Sequence, residues 1–354
     1  MNCNQYSILI TGGSGFIGSH VTYLLLRKGF NVVSLDSYIN SSAKVYKNIL
    51  SLLEIEKIEI NKGYRFIEGD IKDKLLLKKL FNDQINNNNP IKAVIHLAGL
   101  KSVNESLQNS LNYWSNNVCG SINIFEVMKE FDCNTIVFSS SAAIYGLTNN
   151  SSINEKAEIK PTNPYGNSKA TIENILNDLY TTSPNSWRIA NLRYFNPIGA
   201  HSSGMLGENP NNIPNNIFPC ILQVAMNKRK VLNIYGNDWP TKDGTGIRDY
   251  VHIMDLAESH INTLMHLNNS VPKLINLNIG TGKGTSVLEL INTFEKVNNI
   301  KIPWKFVQRR PGDVPRCVAD NSLCKKVLNW SPNKDLDTMC KDGWRWASTH
   351  PYGY

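Results

Sequence analysis

Tyr165 and Lys169 stand four residues apart in Tyr165-Gly166-Asn167-Ser168-Lys169, a spacing that puts both side chains on one face of a helix, and Pro164 just ahead suits a helix's first turn. A free tyrosine, with a pKa near ~10, is a poor base at neutral pH, but an adjacent ammonium and an oxidised nicotinamide both stabilise its phenolate. Such a pair is a tunable acid and base. The pattern is common by chance on exposed helices, so its weight comes from its companions. Ser139-Ser140-Ser141-Ala142 follows a strand-like run, which sets Ser141 where it can hydrogen-bond the same substrate hydroxyl. The chemistry in view is proton transfer at an alcohol carbon that also loses or gains hydride.

The hydride partner is suggested near the start. Ile10-Thr11-Gly12-Gly13-Ser14-Gly15-Phe16-Ile17-Gly18 satisfies Gly-x-Gly-x-x-Gly at Gly13, Gly15 and Gly18, and a looser form at Gly12, Gly15 and Gly18. Missing side chains let the backbone turn sharply, approach a pyrophosphate and pack helix on sheet, while the helix N-terminus supplies amide donors. Asp36 ends the second predicted strand, where a carboxylate accepts hydrogen bonds from a ribose diol and repels a 2′-phosphate, favouring NAD over NADP. Asp70-Ile71 and Leu97-Ala98-Gly99 fall at the carboxyl ends of the next two strands, where open α/β sheets bind ligands. Asp70 reads equally as a contact to the adenine edge and as a helix cap or loop acid.

Positioning these residues requires alternating strands and helices. Strands are predicted at Ser7–Thr11, Asn31–Leu35, Tyr64–Glu68, Ala93–Leu97, Thr135–Ser139 and Ile189–Arg193, and helices at Phe16–Lys28, Leu75–Ile85, Ser115–Lys129 and Thr171–Tyr180. This is the pattern of an α/β protein, a Rossmann-type doubly wound parallel sheet. Asn86–Asn89 and Asn149–Asn150 read as solvated loops. From Asn196 the chain turns rich in Pro, Gly and Asn, so residues 1–195 are expected to bind NAD and residues 196–354 to form mainly a smaller C-terminal α/β substrate-binding lobe. The apolar stretches Val231–Tyr235 and Tyr250–Ile253, within about 231–255, are expected to rejoin the first sheet.

The 354 residues, 41% hydrophobic and 19% charged, exclude fibrous and low-complexity classes. The formal charge of +8 is scattered, its longest basic cluster being Lys228-Arg229-Lys230, so it suits anionic small molecules and not nucleic acid. Seven cysteines at irregular spacing, including Cys3, lack any Cys-x-x-Cys pair, which points to reduced thiols in the cytoplasm and to no metal. The start lacks a signal-peptide pattern, and no apolar run reaches the roughly 18 residues of a membrane span.

Gly12 to Gly18, Asp36, the serine run and Tyr165-x-x-x-Lys169 resemble the extended short-chain dehydrogenases/reductases. Leu97-Ala98-Gly99-Leu100-Lys101, Leu192-Arg193-Tyr194-Phe195-Asn196-Pro197, Ile213-Pro214-Asn215-Asn216, Asp243-Gly244-Thr245-Gly246-Ile247-Arg248-Asp249-Tyr250 and Arg309-Arg310-Pro311-Gly312-Asp313 further resemble the UDP-glucose 4-epimerase family, from about Ser7 to Gly353. The resemblance implies tightly bound NAD and interconversion of UDP-galactose and UDP-glucose through a 4-keto sugar that turns before hydride returns to its opposite face. It implies Tyr165 as base, Lys169 as the group that holds the cofactor ribose and lowers the tyrosine pKa, and Ser141 as the partner of the reacting hydroxyl. To the cofactor it further assigns Phe16, Ile17, Ile71, Leu97, Ala98, Gly99, Lys101, Asn116, Ser139 and Phe195. To the UDP-sugar it assigns Lys101, Asn196, Asn216, Ile217, Tyr235, Arg248, Tyr250, Arg310, Asp313 and Cys317, the arginines facing the diphosphate. Relatives also imply a homodimer through helices around Ser102–Lys129 and Thr171–Tyr180.

Two departures stand out. Asn104 occupies a position where many relatives have glycine, and Cys317 one where some carry tyrosine. A small thiol leaves room that a phenol fills, so UDP-GlcNAc and UDP-GalNAc are expected substrates too; the alternative is a packing cysteine. Among competing functions, a nucleotide-sugar 4,6-dehydratase places acidic residues after the strand-end serine, whereas Ala142 and Ala143 stand here. A non-catalytic NAD-sensing protein of this fold would lack the Tyr-Lys pair.

Overall fold

The computed structural model describes residues 6–59, 63–147, 151–211, 214–310 and 312–354. Cys3, Asn149, Asn150, Ile213 and Pro311 lie outside the described residues. In chain order the strands are β1 (Ser7–Thr11), β2 (Asn31–Asp36), β3 (Tyr64–Glu68), β4 (Ile91–His96), β5 (Thr135–Ser141), β6 (Arg188–Tyr194), β7 (Asn196–Ile198), β8 (Leu232–Tyr235), β9 (Ile247–His252), β10 (Lys273–Ile279), β11 (Gly284–Ser286), β12 (Trp304–Val307) and β13 (Arg316–Cys317). The helices are α1 (Phe16–Arg27), α2 (Lys44–Ile55), α3 (Lys74–Asn86), α4 (Val103–Gln108), α5 (Ser110–Tyr113), α6 (Gly120–Glu130), α7 (Pro164–Thr182), α8 (Ile217–Ala225), α9 (Ile253–Asn268), α10 (Val287–Asn298), α11 (Ser322–Leu328) and α12 (Leu336–Thr349).

Seven strands form one parallel sheet in the order β10-β6-β5-β4-β1-β2-β3. Alternate residues of each central strand feed opposite faces: Ile8 and Ile10 pack with α1, α2 and α9, and Leu9 packs with α3, α6 and α7. Both faces being covered, β1 and β2 are buried along their length, which is why Ile8 to Ile10 and Val32-Val33 read as consecutive apolar residues and not as an alternation. The chain reverses direction across the sheet between β1 and β4, which opens a crevice at their carboxyl ends. This is the Rossmann-type α/β fold expected from the sequence.

A second core gathers α8, β8, α10 and α12. Here the expected return of residues 231–255 to the main sheet is corrected. Among the described residues strand β8 pairs only with β12, and β9 pairs with β7, β11 and β13. Asp249 on β9 is buried and accepts hydrogen bonds from the amides of Thr281, Gly282 and Ala319, which ties β9 to the loop after β10 and to the chain after β13 and so holds it in the smaller sheet. The segment that does return is α9, packed on α1, followed by β10 beside β6.

A single helix over Ser115–Lys129 is also corrected. A π-helical turn at Trp114–Cys119 separates α5 from α6. Its wider winding turns Asn117 inward, and π turns of this kind often mark functional sites. Helix α2 had no counterpart among the predicted elements.

Candidate active site

At the end of β1 the chain turns through Gly12 in a left-handed conformation, φ +72°, and a Cβ there would lie 2.7 Å from the Ala98 amide nitrogen. A Cβ on Gly18 would lie 2.0 Å from the Gly12 carbonyl oxygen, so α1 reaches this close to the sheet only without one. Gly15 is the N-cap of α1 and offers no side-chain cap, which leaves the first-turn amides facing the crevice as anion donors. Asp36 is 8% exposed at the end of β2 and accepts from the Ser14 amide at 3.0 Å, the Tyr38 amide at 2.9 Å and the Ser41 hydroxyl at 2.8 Å. Phe16, Ile17, Ile71, Leu97, Ala98 and Gly99 complete this end of the cleft. Free helix amides beside a strand-end carboxylate fit the pyrophosphate and adenosine ribose of NAD. Asp70 also lines it, but its carboxylate accepts from the Lys72 amide at 2.8 Å and pairs with the Lys72 ammonium at 3.4 Å, so it braces its own loop.

Deeper in, Asn163 caps α7 by accepting from the Gly166 amide at 2.8 Å, and Pro164 opens the first turn. This orients Tyr165 and Lys169 toward the end of β5. The Lys169 ammonium donates to the Ser139 carbonyl at 2.7 Å, sits 4.9 Å above the Phe138 ring and 6.0 Å from the Tyr165 ring centroid. Ser141 is in hydrogen-bonding reach of the Tyr165 phenol and accepts from the Ala143 amide at 3.1 Å. Burial raises the phenol's pKa, with Ser141 and the Lys101 charge pulling it back; burial also lowers the Lys169 ammonium to about 7, with Glu173 opposing.

Residues that sequence reasoning missed hold this arrangement. Asn117 accepts from the Leu100 amide at 2.8 Å and donates to the Leu100 carbonyl at 3.0 Å and the Ser168 hydroxyl at 3.1 Å, tying the loop after β4 to α7. Asn116, the residue singled out, lines the cleft and only supports its neighbour, at 3.2 Å. Glu208 pairs with Lys101 at 2.8 Å across the cleft.

The opposite wall comes from the second core. Phe195, Asn196, Asn216, Ile217, Tyr235, Arg248, Tyr250, Arg310, Asp313 and Cys317 all line it, so the candidate cofactor and substrate residues meet in one cleft of about 1480 Å³, whereas Gly13 of the glycine motif packs against Ser34 instead. That volume exceeds the roughly 300–1,000 Å³ of a single small-molecule site. Arg310 lies 4.5 Å over the Tyr235 ring and donates to Asp313 at 3.1 Å. Arg248 donates to the Ile247 and Val314 carbonyls, both at 2.9 Å, and Cys317 is its neighbour in register on β13. Two lining atoms, the Tyr250 hydroxyl and Asn233 Oδ1, are buried without a hydrogen-bond partner. Such atoms are costly unless something binds them. No sequence pattern marked Asn233. Among the described residues no cluster of His, Cys, Asp or Glu is arranged to hold a metal ion.

The fold and this cleft are those of an NAD-dependent extended short-chain dehydrogenase/reductase. The family model described as GDP-mannose 4,6 dehydratase matches residues 9–343. The chain is 45% identical over 348 residues to the UDP-glucose 4-epimerase of Bacillus subtilis (strain 168), covering 98% of each chain. It superposes with TM-score 0.91, at 39% identity, on the UDP-glucose-4-epimerase of Stenotrophomonas maltophila with bound NAD and formylated UDP-arabinopyranose, covering 98% of this chain and 99% of that one. For the UDP-glucose 4-epimerase of Bifidobacterium longum in complex with NAD+ and UDP, the TM-score is 0.90 at 39% identity, covering 98% and 100%. The chain belongs to the UDP-glucose 4-epimerase family: it is an NAD-dependent epimerase of UDP-sugars.

Proposed function

We propose that the chain interconverts UDP-galactose and UDP-glucose in this cleft, with residues 1–195 and the returning α9 and β10 holding NAD and residues 196–354 mainly holding the UDP-sugar. NAD bound here would supply the acceptor, and then the donor, for the hydride at C4 of the sugar. Gly12, Gly15 and Gly18 with the first-turn amides of α1 would hold its pyrophosphate, and Asp36 its ribose. Tyr165 accepts the proton of the sugar 4-hydroxyl at its phenol oxygen, Ser141 hydrogen-bonds that hydroxyl, and Lys169 stabilises the phenolate. Arg248 and Arg310 suit the diphosphate, since guanidinium donors match its oxygens in pairs. Tyr250 and Asn233 offer their unpartnered polar atoms to the nucleotide. Holding the nucleotide firmly and the sugar loosely lets the 4-keto sugar turn.

The observation that carries this reading is the cluster of half-buried Tyr165 and Ser141 with buried Lys169, which shares one cleft with the glycine turn. Turnover of UDP-galactose without added NAD tests it, and Tyr165→Phe is expected to lower kcat by about 10²–10⁴-fold. Formation of a 4-keto-6-deoxy product would instead mark a 4,6-dehydratase, a reading that Ala142 and Ala143 disfavour because neither supplies a second acid. Cys317, whose thiol is partly buried on the cleft wall, leaves space for an N-acetyl group, so UDP-GlcNAc and UDP-GalNAc are further substrates. The protein works in the cytoplasm; among the described residues no helix is long and apolar enough to cross a membrane. Exposed Val103, Leu107 and Leu111 on α4 and α5 and Ile122 on α6 would be covered in a homodimer, which sedimentation measures directly.

A further inference from the structure

Arg193 is the largest fully buried side chain among the described residues, 2% exposed, and the reaction as read above gives it no task. Its guanidinium grips both carboxylate oxygens of Glu173, at 3.0 and 2.6 Å, and donates to the Tyr145 hydroxyl at 2.9 Å and the Glu155 carbonyl at 3.0 Å. Tyr145 in turn donates to Asn278 Oδ1 on β10 at 2.7 Å, and Glu173 accepts from the Ser140 hydroxyl on β5. Apolar residues of similar volume often stabilise a core as well as a buried ion pair does, so stability alone does not account for this one.

Its placement does. Tyr165, Lys169 and Glu173 follow at i, i+4 and i+8 on α7 and share one face. Ser140 lies between Ser139, whose carbonyl holds Lys169, and Ser141, which faces Tyr165. We infer that Glu173, gripped by Arg193, is a positioning residue for the acid-base pair: it clamps α7 to the end of β5 and presents a carboxylate to the Lys169 ammonium. The inference rests on the reading of Tyr165 as acid and base. Other ionisable groups around the pair come from each neighbouring element. His96 on β4 is pulled by burial to about 3 and is neutral; Tyr113 on α5 and Tyr194 on β6 are phenols raised by burial and also neutral. Lys101, after β4, is committed to Glu208. Glu173 is thus the carboxylate that favours the charged form of Lys169.

Removing that carboxylate leaves Lys169 less often charged, the phenolate less stabilised, and the tyrosine pKa higher. In Glu173→Gln, and in the double variant Glu173→Gln with Arg193→Met that leaves no stranded cation, the acid limb of kcat/KM for UDP-galactose is expected to move up by about one pH unit, a tenfold loss at a fixed pH on that limb. Bound NAD per chain and circular dichroism are read on the same samples. A folded, NAD-loaded variant with the parent's limb overturns the inference. Should neither variant fold, Ser140→Ala decides: it keeps the ion pair and cuts only the tie to β5, so kcat falls several-fold at unchanged KM, and an unchanged kcat overturns the clamp. Turnover surviving in Tyr165→Phe would instead defeat the underlying reading, so the two failures are distinguishable.

Discussion

Desolvation favours the neutral form of both half-buried Tyr165 and buried Lys169, raising the phenol and lowering the ammonium to about 7. The proposed reaction needs the phenol deprotonated, so the acid limb of activity is assigned to Tyr165. Lys169→Met takes away the nearby positive charge, so the tyrosine pKa rises and the limb moves to higher pH; a pH profile of kcat/KM measures it. At Cys317 the expected outcome is selective. Cys317→Tyr abolishes turnover of UDP-GlcNAc and spares UDP-galactose, and equal loss on both sugars in a parallel assay would refute the gate. These residues were legible in the sequence because helical periodicity and strand ends are local. Asn117 was not, since its partner Ser168 lies 51 residues away and only the π turn aims it there.

At the scale of elements, the turn between β1 and α1 depends on missing side chains. Gly18→Ala would place a methyl 2.0 Å from the Gly12 carbonyl, an overlap relieved only by moving α1 off the sheet. A loss of about 1–3 kcal/mol is expected, together with weaker retention of NAD, checked by thermal melts and by the nucleotide released on unfolding. Helix α4 borders the same cleft. Ser102 caps it by accepting from the Glu105 amide at 3.3 Å, and Asn104, in its first turn, is exposed on the cleft. The asparagine therefore fits a regular helix start without strain.

Across the whole molecule, three histidines are buried in neutral form, His20 and His96 lowered from 6.5 to about 3 and His260 to about 4, each chiefly by desolvation. An unfolded chain binds these protons as pH falls below 6.5 while the folded chain does not, so their contribution to stability is intact above 6.5 and is lost progressively toward 3. The melting temperature is accordingly expected to drop between pH 6.5 and 4, and His96→Asn should flatten that drop if it folds. Lys101 and Glu208 meet at this scale as well, bringing the loop after β4 to the opposite wall of the cleft. By itself the sequence determined the glycine turn, the Tyr and Lys register and the strand ends, because each follows from backbone geometry over a few residues. Only the tertiary structure decided that β10 and not β9 takes the sheet edge, that Glu208 faces Lys101, and that Arg193 grips Glu173. Those pairings join distant stretches of chain, and they exist only after the core has closed and excluded the water that would otherwise satisfy each partner.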